Sequence, residues 1–182
     1  HTETETQQKI RNLIRTIPNY PKDGVMFRDI TTLVSDAKGF QLSVTALADR
    51  YSGKKISKVA GIEARGFIFG AVLAEKLRAG FVPIRKKGKL PGKTLSQEYE
   101  LEYGKDTLEI HVGAVSRGDH VLLVDDLLAT GGTATAAANL IGKCGGSIYE
   151  CCFLVDLPDL RGRDRLEKNN YSVFALCTFS GE

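Results

Sequence analysis

The sequence predicts an α/β fold: a mostly parallel central sheet with helices on both faces. Three observations carry this. Short apolar runs alternate along the chain with segments of helical period, the pattern of strand–helix–strand units. The most strand-like run, His120–Val124, leads into two adjacent acids and then a glycine turn that opens a helix. The 182 residues suffice for one domain with a real core and are short for two.

Taken in order, Thr2–Ile17 places Ile10, Leu13, Ile14 and Ile17 on one helical face, and Pro18, Pro21 and Gly24 break it. Phe40–Tyr51 repeats the pattern with Phe40, Val44, Leu47 and Tyr51. Lys58–Ile62 reads as a buried strand, Gly66–Leu77 as a helix and Phe81–Arg85 as a second strand. Lys86–Thr107 holds three glycines and little periodicity, so it is expected to be a long loop with room for a hairpin. Leu108–Val112 and His120–Val124 are expected strands. Thr133–Cys144 is a helix stopped by Gly145-Gly146, and Ser147–Val155 and Ser172–Cys177 complete the sheet. There is no internal repeat.

Composition narrows the function. The apolar share is 42%, the charged share 26% and the net charge +3. That balance suits small anionic ligands and is weaker than a nucleic-acid footprint, so no nucleic-acid partner is expected. No apolar run approaches the roughly 18 residues of a membrane span, so no membrane partner is expected either. The polar start H-T-E-T-E-T-Q-Q-K has no apolar core and is not read as a secretory signal. Cys144, Cys151, Cys152 and Cys177 form no metal-type spacing and read as free thiols of a cytoplasmic protein.

The chemistry concentrates in Val121–Thr135, V-L-L-V-D-D-L-L-A-T-G-G-T-A-T. Ligands of open α/β sheets bind beyond the carboxyl ends of the strands, which is where Asp125, Asp126 and the following loop fall. Ala129-Thr130-Gly131-Gly132-Thr133 lies between a strand and a helix. Its glycines allow a tight turn and close approach, and the helix N-terminus offers N–H groups and its positive dipole end to an anion. Thr130, Thr133 and Thr135 add hydroxyls. Asp125 and Asp126 could simply cap and face solvent, or they could accept hydrogen bonds from the hydroxyls of a sugar. Gly88-Lys-Leu-Pro-Gly92-Lys93-Thr94 is not a Walker A loop: it has three residues between its glycines rather than four, and Pro91 lies inside it.

Val121–Thr133 resembles the phosphoribosyl-pyrophosphate motif of the type I phosphoribosyltransferases. Gly24-Val-Met-Phe-Arg-Asp-Ile30, Glu63-Ala-Arg-Gly-Phe-Ile-Phe-Gly70, Ile84-Arg-Lys-Lys-Gly-Lys-Leu-Pro-Gly92 and Leu101-Glu-Tyr-Gly-Lys105 follow in the order and at the spacing of that family's adenine-specific branch. The resemblance covers nearly the whole chain. It implies a single domain of the type I fold, with hood elements from 1–35 and 156–170 and a flexible loop at about 86–107. It also implies purine salvage: adenine and phosphoribosyl pyrophosphate give AMP and pyrophosphate, with Mg2+ held mainly by substrate and water, in a cytoplasmic homodimer.

The same resemblance assigns roles. Asp125, Asp126, Ala129, Thr130, Gly131, Gly132 and Thr133 hold the ribose phosphate; Arg65, Arg85 and Lys89 face pyrophosphate, one of the latter two being open to supply by a neighbouring subunit. A strained peptide, with cis geometry in view, is expected at Ala64–Arg65. Val25, Met26, Phe27 and Arg28 form the base site, with Phe27 stacking on the purine, Leu157 closing the other face and backbone groups of Met26 and Arg28 reading the Watson–Crick edge. A 6-oxo purine would set two acceptors against each other there, at about 1–3 kcal/mol. Glu102 handles a proton near purine N7, which makes Glu102, Arg65, Asp125 and Asp126 the catalytic candidates. The plainer alternatives are Phe27 as core, Glu98, Glu100 and Glu102 as a solvated edge, and Lys86, Lys87 and Lys93 as solvated loop. A 6-oxopurine or orotate transferase, and a non-catalytic phosphoribosyl-pyrophosphate sensor, are the competing functions.

Overall fold

The computed structural model describes residues 3–101 and 103–181. Helix α1 (Glu5–Leu13) opens with a capping box: Gln7 N–H donates to Thr4 Oγ1 at 3.1 Å, and Thr4 N–H to Gln7 Oε1 at 3.0 Å. It ends four residues short of the expected Ile17. Thr16, Ile17 and Pro18 favour extended backbone, and β1 (Arg15–Pro18) instead pairs antiparallel with β2 (Met26–Asp29) in a separate two-stranded ribbon. A short helix α2 (Thr31–Val34) follows. Helix α3 (Ala37–Tyr51) starts at Asp36, whose side chain accepts from Gly39 N–H at 2.8 Å.

The main sheet then assembles. Strand β3 (Lys58–Ile62), helix α4 (Arg65–Lys76) and strand β4 (Gly80–Lys86) form one parallel strand–helix–strand unit; β7 (His120–Leu128), α5 (Gly132–Lys143) and β8 (Ser147–Asp156) form another. A 3-10 turn (Pro158–Leu160), α6 (Gly162–Lys168) and β9 (Val173–Thr178) complete the chain. Between the two units, β5 (Thr94–Glu100) and β6 (Lys105–His111) pair antiparallel from Thr94 opposite His111 to Glu100 opposite Lys105. The segment read as a long loop with room for a hairpin is therefore largely a hairpin on the sheet edge; Glu102 lies outside the described residues.

The seven strands run in the order β5-β6-β4-β3-β7-β8-β9, parallel across β4-β3-β7-β8-β9 and antiparallel at the hairpin edge. Alternate residues feed two cores. Val59, Leu122, Val124 and Leu154 pack with α1, α3 and α4 on one face. Ala60, Val121, Leu123 and Phe153 pack with α5 and Leu166 of α6 on the other. Burying each such aliphatic side chain contributes about 1.5–3 kcal/mol. Because β3 continues through α4 on one face and its neighbour β7 through α5 on the opposite face, the sheet has a topological switch point between these strands. That is where ligands of such folds bind.

At the other end of the sheet, Glu150 of β8 is buried and fully engaged. It accepts from Arg50 Nε at 3.0 Å and Nη2 at 3.2 Å, from Tyr51 Oη at 2.7 Å and from Ser172 Oγ at 2.8 Å. The Arg50 guanidinium lies 3.8 Å from the centroid of the Phe174 ring. This cluster ties α3 to β8 and β9. Burial pushes the thiols of Cys151, Cys152 and Cys177 up to about 12, so none of the three is a nucleophile near neutral pH. Among the described residues no helix is long and apolar enough to cross a membrane.

Candidate active site

Two helices begin at the switch point, and neither is capped by a side chain. Helix α4 starts at Arg65 after Ala64, and α5 starts at Gly132 after Gly131. Their first-turn N–H groups lack the usual side-chain acceptor and line one cleft of about 380 Å3. Gly131 has φ +86, and a Cβ there would meet Gly162 O at 2.9 Å, so backbone sterics alone restrict the position to glycine. Gly66 presses equally close on β7: a Cβ would stand 2.9 Å from Val124 O and 3.0 Å from Asp125 Oδ1.

Strand β7 runs past its expected end at Val124 and carries both acids within it. Its pairing with β3 stops at Gly61 opposite Val124, while pairing with β8 continues to Leu128 opposite Asp156. The sheet thus opens on one side of Asp125 and Asp126. Asp126 is buried, and its Oδ2 accepts from Arg65 Nε at 2.6 Å. Asp125 Oδ1 accepts from Asp126 N–H at 2.8 Å. Burial, reinforced by the charge of Asp126, raises the Asp125 carboxyl well above the ordinary carboxylate range. Between two uncapped helix N-termini the cleft therefore presents a pair of acids.

Arg65, Asp125, Asp126, Ala129, Thr130, Gly131, Gly132 and Thr133 all line this cleft. Thr135 does not serve it: its buried hydroxyl donates to Gly131 O at 2.6 Å, one turn back in the helix. The cis peptide lies at Glu63–Ala64, one bond earlier than expected, because Arg65 already belongs to α4 and the turn out of β3 must be complete by then. Arg85 and Lys89 are not among the residues lining the cleft but meet one that is, with Arg85 Nε 3.3 Å and Lys89 Nζ 3.7 Å from the Glu63 carboxylate.

Val25, Met26, Phe27 and Arg28 lie on and beside β2, outside the lining of the cleft but bordering it. The Arg65 guanidinium is 5.7 Å from the Phe27 ring centroid, and Tyr20 meets the same ring edge-on at 5.1 Å. Phe27 is half-buried and so is neither plain core nor free surface. Arg28 is tied back to Thr16 Oγ1 at 2.6 Å and Ser180 O at 3.1 Å. Leu157 is buried, and its N–H donates to Leu128 O at 3.0 Å, just past the acids. Glu102, the candidate for proton handling, lies outside the described residues. Sequence reasoning assigned no role to Glu63, Tyr99 or Asp106, and read Lys86 as solvated; all four line the cleft. Tyr99 and Asp106 are direct partners across the hairpin, and Lys86 Nζ is 3.2 Å from Asp106 Oδ2. The alternation of Leu95, Gln97 and Tyr99 was the available signal.

Residues 34–178 match the phosphoribosyl transferase domain. The adenine phosphoribosyltransferase of Nitrosospira multiformis is 58% identical over 173 residues, covering 95% of this chain and 99% of that protein. The chain belongs to the phosphoribosyltransferase family, in its adenine phosphoribosyltransferase branch. The adenine phosphoribosyltransferase of Methylobacillus flagellatus is 59% identical over 93% of this chain and 97% of its own length. Among solved structures, the Thermoanaerobacter pseudethanolicus adenine phosphoribosyltransferase superposes with a TM-score of 0.91 at 50% identity, covering 95% of this chain and 99% of that one. The Saccharomyces cerevisiae adenine phosphoribosyltransferase, solved with adenine and an imino-altritol bisphosphate, does so at 0.88 and 38%, covering 94% and 98%. The switch-point cleft is thus set in a phosphoribosyltransferase fold, with its mostly parallel seven-stranded sheet.

Proposed function

We infer that this chain is an adenine phosphoribosyltransferase, converting adenine and 5-phospho-α-D-ribose 1-diphosphate to AMP and diphosphate in purine salvage. The observation that carries it is the pair of uncapped helix N-termini flanking two carboxylates in one cleft. Phosphoribosyl pyrophosphate has that layout: an anion at each end of a diol.

In the proposed arrangement, Ala129–Thr133 hold the 5′-phosphate at the start of α5 and Asp125 and Asp126 accept from the ribose hydroxyls. Arg65, Arg85 and Lys89 neutralise the departing diphosphate. Displacement at the anomeric carbon builds positive charge there, which the neighbouring carboxylates stabilise. Phe27 stacks on adenine with Leu157 behind it, while Val25, Met26 and Arg28 supply backbone contacts to its edge. Glu102 handles the proton near N7, and the hairpin that carries it closes over the cleft and excludes water. In domain terms, 1–35 and 156–170 form a hood over the sheet, and about 86–107 is the moving part.

Among the described residues no three His, Cys, Asp or Glu side chains converge on a metal position. Asp125 and Asp126 are the acids that would face Mg2+ held mainly by substrate and water. Bound there, Mg2+ would neutralise the leaving group. Four free cysteines accord with a reducing cytoplasm, and by analogy with the branch we propose a homodimer, which sedimentation velocity tests. The reaction is tested by assaying the purified protein with adenine, hypoxanthine, guanine and orotate. Adenine is expected to be strongly preferred. Greater activity on hypoxanthine would end the adenine assignment, and a DNA gel shift without pyrophosphate release would favour a sensor.

A further inference from the structure

Strand β3 ends at Ile62, opposite Ile84, while β4 runs on through Arg85 and Lys86 in pairing with β6, so Glu63 leaves the sheet beside Arg85. The backbone fixes Glu63 at both ends. Its N–H donates to Ile84 O at 3.0 Å, and its Oε1 accepts from Lys86 N–H at 2.7 Å. The carboxylate stands between two cations, Arg85 Nε at 3.3 Å and Lys89 Nζ at 3.7 Å. Burial works against its ionisation, but the Lys86 N–H and the charges of Lys89 and Arg85 hold it below the usual carboxylate range. Arg85 Nε is itself buried and has no hydrogen-bond partner. A buried donor without an acceptor is unfavourable until an acceptor arrives.

We propose that Glu63 is a positioning residue that occupies Arg85 and Lys89 in the free enzyme and competes with diphosphate for them, weakening the hold on phosphoribosyl pyrophosphate and easing release of pyrophosphate. The proposal rests on the reading that these two cations face pyrophosphate. Each cation must exchange one acid for another when diphosphate binds, so the net gain is smaller than a free cation would give. Preorganisation by Glu63 works the other way but is the lesser effect: the Lys89 side chain stays 51% exposed at 3.7 Å and is scarcely ordered by the pair. The imbalance corresponds to a few-fold in affinity.

Calorimetry with inorganic pyrophosphate and Mg2+ at fixed ionic strength tests this on the wild type, E63Q, R85A/K89A and the triple variant. Glutamine keeps the shape and can still accept from Lys86 N–H. E63Q should bind pyrophosphate about 3–10-fold more tightly and lower the KM for phosphoribosyl pyrophosphate while leaving that for adenine unchanged. R85A/K89A should bind it more weakly, and adding E63Q to that background should change affinity by less than about twofold. Weaker or unchanged binding by E63Q, with R85A/K89A still weakened, overturns the competition and leaves the site reading standing. An undiminished gain in the triple variant also overturns it, because Glu63 would then act without the cations. Unchanged binding by R85A/K89A removes the reading and the proposal together.

Discussion

Replacing Asp126 with asparagine separates the fold from the chemistry. Asparagine keeps the shape, and its carbonyl oxygen can still accept from Arg65 Nε, which lies 2.6 Å from Asp126 Oδ2. The Arg65 side chain is 47% exposed, so the lost ion pair is strongly screened and costs less than about 1 kcal/mol. For a chain of this length that lowers Tm by at most roughly 2–4 °C. The reaction loses more. A hydrogen bond from a sugar hydroxyl to a charged acceptor contributes about 1.5–3 kcal/mol, and a neutral amide keeps only part of it. At about 1.4 kcal/mol per decade, kcat/KM should fall by up to roughly 10–150-fold from this term, and the missing charge beside a cationic centre adds to that. Following AMP formation by absorbance, with thermal denaturation in parallel, gives both numbers. A variant with kcat/KM within threefold of wild type and normal Tm would refute the role given to the acid pair.

Three other perturbations probe the rest of the molecule. Phe27→Ala should raise the KM for adenine by roughly 5–150-fold, the range of one lost base stack, and that for phosphoribosyl pyrophosphate far less; equal effects in steady-state kinetics would count against stacking. Asp125→Asn should abolish most activity yet raise the Tm of the ligand-free protein. An acid whose folded value lies above its unfolded one favours folding only while protonated, and that contribution is lost as pH rises through the ordinary range, so a neutral isostere restores it at neutral pH. The gain is on the order of 1 kcal/mol, typical of relieving a functional site. Glu150→Ala strands Arg50, the Tyr51 hydroxyl and Ser172; with Arg50 40% exposed the cost is about 2–4 kcal/mol, or roughly 5–15 °C in Tm, with kcat/KM at 25 °C unchanged.

The parts of this fold visible in the sequence were those whose signal is local. Val59–Ile62 of β3 and Val121–Val124 of β7 are unbroken apolar runs because both faces are covered, and the Gly131-Gly132 turn sits next to the helix it opens. The hairpin was hard to see because β5, T-L-S-Q-E-Y-E, shows one face to solvent and its apolar residues are sparse. Helix α1 was overextended because Ile17 keeps the helical spacing, yet pairing with Phe27 across the ribbon decides its backbone. Helix α6 offers only Leu166 and Gly162 to the interior, too few for a periodic pattern. The site divides the same way. Residues adjacent in the chain, Asp125 to Thr133, were legible as a motif, whereas the meeting of Glu63 with Arg85 and Lys89 depends on strand register. Thr135 misled because its hydroxyl had a backbone acceptor within its own helix.

The contact of Gly66 with Val124 and Asp125 leaves no slack between the first turn of α4 and the strand that feeds α5. The two helix N-termini, the anion seats of the proposed function, are consequently fixed like the jaws of a caliper. A ligand is gauged by its span, and one that lacks either terminal phosphate can fill only one jaw.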